Sequence, residues 1–311
     1  MYNFRTDLAL ERRELLGKLK KSGEQIDGIE IEEKDVSDKI KVSKVMITNE
    51  NGEQAIGKPK GTYVTIDIKK LKIATDEEIE KAANVLSDEL KGLVNSHISS
   101  QDDVLIVGLG NEYVTPDSLG PKVTKDIEVT RHVIKYMPEY VEEGTRPISA
   151  ISPGVLGTTG IETLEILEGI VNNVKPKLLI VIDALASRSI ERISSTIQLS
   201  DTGIVPGAGV GNTRKELSQN TLGIPVIALG IPTVVENAVL VNEALDLFIT
   251  KLQDEGRSND YLNELQQKDN YEEIKEALNP GDYNMIVTPK EIDELIENMK
   301  DIVARGINYA L

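Results

Sequence analysis

Residues 104–121, VLIVGLGNEYVTPDSLGP, decide the fold class. They begin with an apolar run that ends at a glycine, and they continue through a polar loop toward the start of a helix. Two further apolar runs, LLIVI at 178–182 and PVIAL at 225–229, lie close to amphipathic helical patterns. β-Branched runs without polar alternation are typical of strands covered on both faces. We therefore predict an α/β fold with a mostly parallel sheet flanked by helices.

The N-terminal third has a different pattern. Residues 40–48 and 61–69 are rich in β-branched residues and alternate between apolar and polar ones, which predicts two strands. Asn51 and Gly52 form a pair typical of tight hairpin turns, so we predict such a turn after the first strand. The sequence thus predicts a small N-terminal antiparallel β extension to the parallel sheet.

Helix signals divide the rest of the chain. Thr75 followed by Glu78 resembles a capping box and predicts the start of a helix. We assign 8–100 to an N-terminal β and helix extension, 101–252 to the core, and 253–311 to a polar linker and a C-terminal helix. The three parts are predicted to form a single domain.

The composition excludes several kinds of chemistry. The chain has 311 residues, a net charge of −17, two histidines and no cysteine. Cysteine nucleophiles and Cys-based zinc sites are therefore impossible, and carboxylates are the abundant acid and base groups. The negative charge disfavours direct binding to nucleic acid or to anionic membranes. No apolar run approaches the length of a membrane span, so we predict a cytoplasmic protein with no membrane partner.

Two aspartates follow predicted parallel strands. Asp183 comes directly after LLIVI, and Asp117 lies in the loop after VLIVG. Ligands of open α/β sheets bind at the carboxyl ends of the strands. Each aspartate alone could instead cap a helix. As a pair they could share a proton, one acting as an acid while the other activates water.

Other residues offer weaker candidates. The motif at Asp201, DTG, matches that of pepsin-like proteases, but those enzymes are all-β proteins and the α/β pattern argues against them. The glycine-rich loop around Gly209 matches neither the GxxxxGK[ST] nor the GxGxxG spacing of phosphate-binding loops. A substrate-facing or interface loop is therefore the better interpretation. Arg188 and Arg192 could tune the aspartates or bind an acidic substrate side chain.

The chain resembles a known family over nearly its whole length. The matching stretches are RTDLALE (5–11), VTPDSLGPKV (114–123), RPISAISPGVLGTTGIET (146–163), VKPKLLIVIDALASRSIER (174–192), TIQLSDTGIVPGAGVGNTRKELS (196–218), LGIPVIALGIPTVV (222–235) and MIVTPKEID (285–293). They look like the germination protease, or spore protease, of spore-forming Firmicutes. Matches of this length are far more specific than any short motif.

The resemblance implies an atypical aspartic endopeptidase specific for small acid-soluble spore proteins. By local motif, the family's catalytic aspartates fall on Asp117 and Asp183. The family is made as a homotetrameric zymogen in the spore and removes an N-terminal propeptide, which implies cleavage here between Asp7 and Leu8. Residues 1–7 would then be the propeptide and 8–311 the protease domain. The implied fold is similar to hydrogenase maturation proteases, which are phosphorylase/hydrolase-like.

Two alternatives remain open from the residues. One is a metal-dependent, maturation-type peptidase, although neither histidine lies in a predicted strand-end loop and we expect no metal or other cofactor. The other is a non-catalytic α/β protein that binds spore proteins. Loss of activity with a chelator would favour the first, and the absence of any fragments would favour the second.

Overall fold

The computed structural model describes residues 27–69, 71–187, 189–207, 214–257, 265, 270–278 and 285–311. In this part of the chain, nine strands form one mixed sheet in the order β1-β2-β3-β7-β8-β6-β4-β5, with β9 paired to β8. The strands are β1 (Ile29–Asp35), β2 (Ile40–Ile47), β3 (Gly61–Ile68), β4 (Val104–Gly108), β5 (Ile148–Ile151), β6 (Leu178–Ser187), β7 (Thr196–Ser200), β8 (Val226–Glu236) and β9 (Ile286–Val287). The α/β fold class is thereby confirmed.

The α-helices of the described residues connect and cover these strands. They are α1 (Glu50–Ile56), α2 (Asp76–His97), α3 (Leu119–Lys125), α4 (Arg131–Tyr136), α5 (Leu156–Thr159), α6 (Thr163–Val174), α7 (Gln219–Leu222), α8 (Asn237–Asp254), α9 (Tyr271–Leu278) and α10 (Ile292–Ala310). The predicted capping box is confirmed, because Thr75 and Glu78 exchange side-chain and backbone hydrogen bonds at the start of α2. No helix in the described part of the chain is long and apolar enough to span a bilayer.

Parallel pairing is confined to one half of the sheet. β5, β4, β6 and β8 are parallel neighbours, so their carboxyl ends lie along one edge. β6 and β8 continue well beyond the predicted runs, and their register shifts after Leu185. A strand-end residue of the sequence prediction, Asp183, therefore lies within β6 and pairs with Gly230 of β8.

The other half of the sheet is antiparallel and begins with the N-terminal strands. β1, β2, β3, β7 and β8 pair in succession, so the predicted N-terminal extension is continuous with the core sheet. The sequence patterns predicted β2 and β3 but missed β1 and β7. β1 is missed because only Ile29 and Ile31 alternate with glutamates in its charge-rich sequence IEIEEKD.

The predicted turn at Asn51 and Gly52 is wrong, because both residues lie in α1. The Asn49 side chain accepts a hydrogen bond from the Gly52 N–H at 3.0 Å and caps the helix. A Cβ on Gly52 would lie 2.4 Å from the Gly28 carbonyl oxygen, so this glycine permits close packing of two backbone segments. α1 ends at Gly57, whose φ of 72° is left-handed.

The core lies on both faces of the sheet. On one face, α2, α3 and α10 pack their apolar sides against strand residues such as Ile106, Ile180 and Ile227. On the opposite face, α6 packs against Leu105, Val181 and their neighbours. Because both faces of the parallel strands are covered, the loops that leave their carboxyl ends are the natural place for a ligand site.

Candidate active site

The first candidate aspartate is held on the buried strand β6. The Asp183 side chain is buried, with 5% of its surface exposed, and its Oδ1 accepts the backbone N–H of Ala184 at 2.9 Å. The preceding residue, Ile182, accepts a hydrogen bond from the Leu109 N–H at 2.8 Å. This bond ties the loop that leaves β4 directly to the strand that carries Asp183.

The second candidate aspartate lies in a short 3₁₀ helix, Thr115–Asp117, in the loop between β4 and α3. This turn contacts both β6 and β8. The structure therefore brings the segment carrying Asp117 against the strand carrying Asp183, although 65 residues separate them in the sequence.

Glycines explain how the Asp117 turn approaches the sheet. A Cβ on Gly108, at the end of β4, would lie 2.1 Å from the Gly120 carbonyl oxygen. A Cβ on Gly120 would lie 2.3 Å from the Leu109 carbonyl oxygen. The end of β4 and the start of α3 thus pack backbone against backbone, which only residues without side chains allow.

A third glycine fixes the loop around Asp117. Gly110 has a φ of 114°, and a Cβ there would lie 2.0 Å from the Asp117 carbonyl oxygen and 3.0 Å from its Oδ1. The next residue, Asn111, donates its backbone N–H to Asp117 Oδ2 at 2.8 Å. The carboxylate orientation is therefore set by the glycine-rich loop that follows β4.

The environment of Asp117 changes its acidity. Burial raises the pKa of Asp117 above its usual value, because removal of water disfavours the charged carboxylate. The hydrogen bond from Asn111 and the positive charge of Arg214 act in the opposite direction and lower this pKa. Burial dominates, so Asp117 accepts a proton more readily than an exposed aspartate does. A carboxyl group of this kind suits acid and base catalysis.

The structure places Asp201 in a different setting. Its Oδ1 accepts the Thr62 N–H at 2.8 Å, and its own N–H donates to the Thr62 carbonyl oxygen at 3.4 Å. Asp201 thus joins the end of β7 to β3 in the antiparallel half. The DTG motif forms a connection between two strands here, with the Thr202 hydroxyl 3.1 Å from the Tyr63 hydroxyl.

Among the remaining candidates, Arg192 forms an ion pair with Asp67 of β3, with Nη1 and Oδ1 3.8 Å apart. Four candidates, Asp7, Leu8, Arg188 and Gly209, lie outside the described residues. Within the described ranges, no three histidine or acidic side chains are grouped closely enough to hold a metal ion.

A cavity of ≈390 Å³ opens beside the Asp117 loop. Its lining includes Gly110, Asn111, Tyr113, Thr124, Ala150 and Val155. The sequence analysis missed these residues, together with Arg214. The glycine spacing of GLGN and SLGP was the available signal, since two glycine-containing turns on consecutive elements indicate close backbone packing.

Comparison with known proteins gives a consistent family. A family model described as germination protease matches residues 6–265 and 257–311. Curated germination proteases of Clostridium acetobutylicum and Clostridium perfringens are both 46% identical to this chain, and each alignment covers 100% of the chain and 96% of the relative. The germination protease of Geobacillus sp. (strain WCH70) is 40% identical over 352 aligned positions, covering 100% of the chain and 94% of the relative.

Among solved structures, a [NiFe] hydrogenase maturation protease, HycI of Thermococcus kodakarensis, matches 45% of this chain and 80% of its own. The identity is 16% and the TM-score 0.27. The family model and the full-length relatives carry the assignment by themselves. This chain belongs to the germination protease family.

Proposed function

We propose that this chain is an endopeptidase that initiates the degradation of small acid-soluble spore proteins during germination, with water activated by Asp117 and Asp183. Membership of the germination protease family supports peptidase activity on protein substrates. The single observation that supports the site is the contact of the Asp117 turn with β6, the strand that carries Asp183, at the carboxyl edge of the parallel strands.

In the proposed reaction, one carboxylate removes a proton from water as the oxygen attacks the peptide carbonyl carbon. The other aspartate, as a carboxylic acid, donates its proton to the carbonyl oxygen, which gives a tetrahedral diol. Collapse of the diol breaks the C–N bond: one hydroxyl returns its proton to the aspartate that acted as the acid, and the aspartate that took the proton from water gives it to the leaving nitrogen. Because burial raises the pKa of Asp117, this residue suits the acid role at mildly acidic pH.

The proposal includes activation from a zymogen. Cleavage between Asp7 and Leu8 would remove residues 1–7 and leave 8–311 as a single peptidase domain. The sequence around this bond, RTDLALE, provides an acidic residue before an apolar one, as the family's substrates do. We further propose a homotetramer that acts in the cytoplasm of the developing and germinating spore.

Mass analysis of the purified chain over time tests self-cleavage, and digestion of a small acid-soluble spore protein tests activity in trans. Asp117→Asn and Asp183→Asn should abolish both reactions. The matched control is Asp103→Asn. Asp103 directly precedes β4, at the amino end of that strand and away from the loops at its carboxyl end, and it pairs with Arg131 Nε at 3.2 Å on a partly exposed surface.

Full activity of either catalytic-site variant would remove that aspartate from the mechanism. Activity that disappears with a chelator and returns with a divalent metal would favour the metal-dependent alternative. If the wild-type chain binds spore proteins and yields no fragments under any condition, the chain is a binder instead.

A further inference from the structure

The strand β5 is one edge of the sheet, and its pairing with β4 determines which of its backbone groups face outward. The Val104 N–H donates to the Pro147 carbonyl oxygen at 2.9 Å, and Val104 is aligned with Ile148. In a parallel ladder, this bond directs the backbone groups of Ser149 and Ile151 toward β4. The N–H and C=O of Ile148 and Ala150 therefore point away from the sheet.

The hydrogen bonds of Ile148 confirm this direction. Its carbonyl oxygen accepts the Thr130 N–H at 3.1 Å, and its N–H donates to Thr130 Oγ1 at 2.9 Å. Thr130 thus covers the first outward position of the β5 edge. At the next outward position, Ala150, the described residues provide no hydrogen-bond partner, and Ala150 is partly exposed.

Ala150 also lines the ≈390 Å³ cavity beside the Asp117 loop. The same cavity is lined by Gly110 and Asn111, and Asn111 donates its backbone N–H to the Asp117 carboxylate. The cavity therefore lies between a residue of the edge strand and the loop that holds a candidate catalytic aspartate.

Apolar side chains stand at this cavity although nothing in the described structure packs over them. Tyr113 lines the cavity with 83% of its surface exposed. Val114 and Leu156, in the adjacent loop and helix, are 45% and 39% exposed. An aromatic ring that remains exposed beside a cavity is typical of a binding surface.

The opposite edge of the sheet has the reverse character. The outer strand β1 reads IEIEEKD, and its side chains from Glu30 onward are exposed. Charged side chains on an edge strand prevent pairing with another chain. β5, with the sequence ISAI, has no charged residue. Among the described residues, the sheet is thus protected against strand addition at β1 and open to it at Ala150 of β5.

We propose that β5 is the substrate-docking strand: an extended segment of the protein substrate pairs with the backbone of Ala150, packs against Tyr113, and is directed toward Asp117. This inference rests on the proposed peptidase function of the same site. Backbone pairing would hold a segment of varied sequence, and the side-chain contacts at the cavity would add selectivity.

Peptide binding tests this proposal separately from catalysis. The probe is a fluorescently labelled peptide of residues 5–11, RTDLALE, and its affinity for the full chain is measured by fluorescence anisotropy in an Asp183→Asn background. Tyr113→Ala should weaken binding at least about fivefold, because truncating an aromatic anchor of an interface has effects of this order. The matched control is Tyr140→Ala, which removes a tyrosine that is 78% exposed and does not line the cavity.

A second variant tests the backbone contact. Ala150→Pro removes an outward N–H and keeps the bonds to β4, which come from Ser149 and Ile151, and proline is tolerated on edge strands. It should weaken binding about tenfold, whereas Ala150→Val, which keeps the N–H and adds similar volume, should bind more tightly than the proline variant. Thermal unfolding of each variant verifies the fold.

If Ala150→Pro does not fold, peptides methylated at one backbone nitrogen each give the same information. Strand pairing predicts that methylation weakens binding at alternate positions. The docking proposal would be overturned if Tyr113→Ala leaves the affinity unchanged and the effect of methylation does not alternate along the peptide, even if the chain cleaves its substrate. Weakened binding by these variants with no cleavage by the wild type would support the docking strand and contradict the proposed function.

Discussion

Two aspartate turns, one in each half of the sheet, have similar local chemistry and different surroundings. Asp117 and Asp201 each follow a strand, and each accepts a backbone N–H at 2.8 Å. Asp117 accepts it from Asn111 of its own loop, beside an open cavity at the edge where parallel strands end. Asp201 accepts it from Thr62 of a neighbouring antiparallel strand. The first bond fixes a carboxylate within the loop beside this cavity, and the second bond holds two strands together.

This difference shows why the direction of neighbouring strands matters more than the prominence of a motif. Parallel strands all end at one edge, so residues from distant loops converge there. In the antiparallel half, strand ends alternate between edges, so Asp201 meets β3 and not another strand-end carboxylate. The DTG motif is conspicuous in the sequence, and in the fold it is a strand connection.

Gly110 holds the Asp117 loop in place, and its substitution has the largest expected effect. Gly110→Ala should lower kcat about 100-fold, because its Cβ would lie 2.0 Å from the Asp117 carbonyl oxygen, and a displacement of a reacting group by about 1 Å has an effect of this size. The measurement is the cleavage rate of a spore-protein substrate at saturating concentration.

Its control is Gly144→Ala. Gly144 also has a positive φ, 95°, but a Cβ there meets no other atom within 4 Å. This variant should lose about 1 kcal/mol of stability through backbone strain and keep its kcat. Equal losses of activity in the two variants would show that the Asp117 loop has no special role.

Asp201→Ala tests whether Asp201 stabilises the fold and takes no part in the reaction. It leaves the Thr62 N–H without its acceptor and should reduce the free energy of unfolding by about 1–3 kcal/mol. kcat, measured where the variant is folded, should stay within about threefold of the wild type. Asp201→Asn keeps an acceptor oxygen and should be close to wild type in stability. A large loss of kcat with unchanged stability would instead make Asp201 part of the reaction.

The pH dependence of stability distinguishes Asp117 from aspartates in ion pairs. Because burial raises its pKa, the folded state holds the proton more tightly than the unfolded state does, and stability falls as pH rises through the folded pKa. Asp117→Asn should therefore increase the free energy of unfolding at pH 7, and this gain should disappear as the pH falls toward 3.8, the ordinary pKa of aspartate. Urea unfolding of the wild type and Asp117→Asn at several pH values measures the gain and its loss at low pH.

Asp126→Asn should change the free energy of unfolding at pH 7 in the opposite direction from Asp117→Asn. Asp126 Oδ2 forms an ion pair with Lys300 Nζ at 2.9 Å. Loss of this ion pair should lower the free energy of unfolding at neutral pH by up to about 1 kcal/mol. If Asp117→Asn also lowers stability at pH 7, the Asp117 carboxylate is stabilised in the fold and the assignment of burial as the dominant effect is wrong.

Local patterns predicted much of the fold. The apolar runs at 104–108 and 178–182, the capping box at Thr75, and the C-terminal helix are found where the sequence indicates them. These features depend on residues close together in the chain, such as the hydrogen bonds of Thr75 and Glu78 three positions apart. The N-terminal strand β1 was not predicted, because only Ile29 and Ile31 alternate with glutamates before its charged end.

The sequence by itself determined the α/β class, excluded cysteine chemistry and Cys-based zinc sites, showed the family resemblance, and gave two strand-end aspartates as candidates. Only the tertiary structure decided that the Asp117 turn lies on β6, that Asp201 joins β7 to β3, and that Ala150 is open at the edge of the sheet. The physical reason is that these relations depend on strand order and on backbone approach between elements. Glycines such as Gly108 and Gly120 permit that approach, but their partners are identified only once the chain has folded.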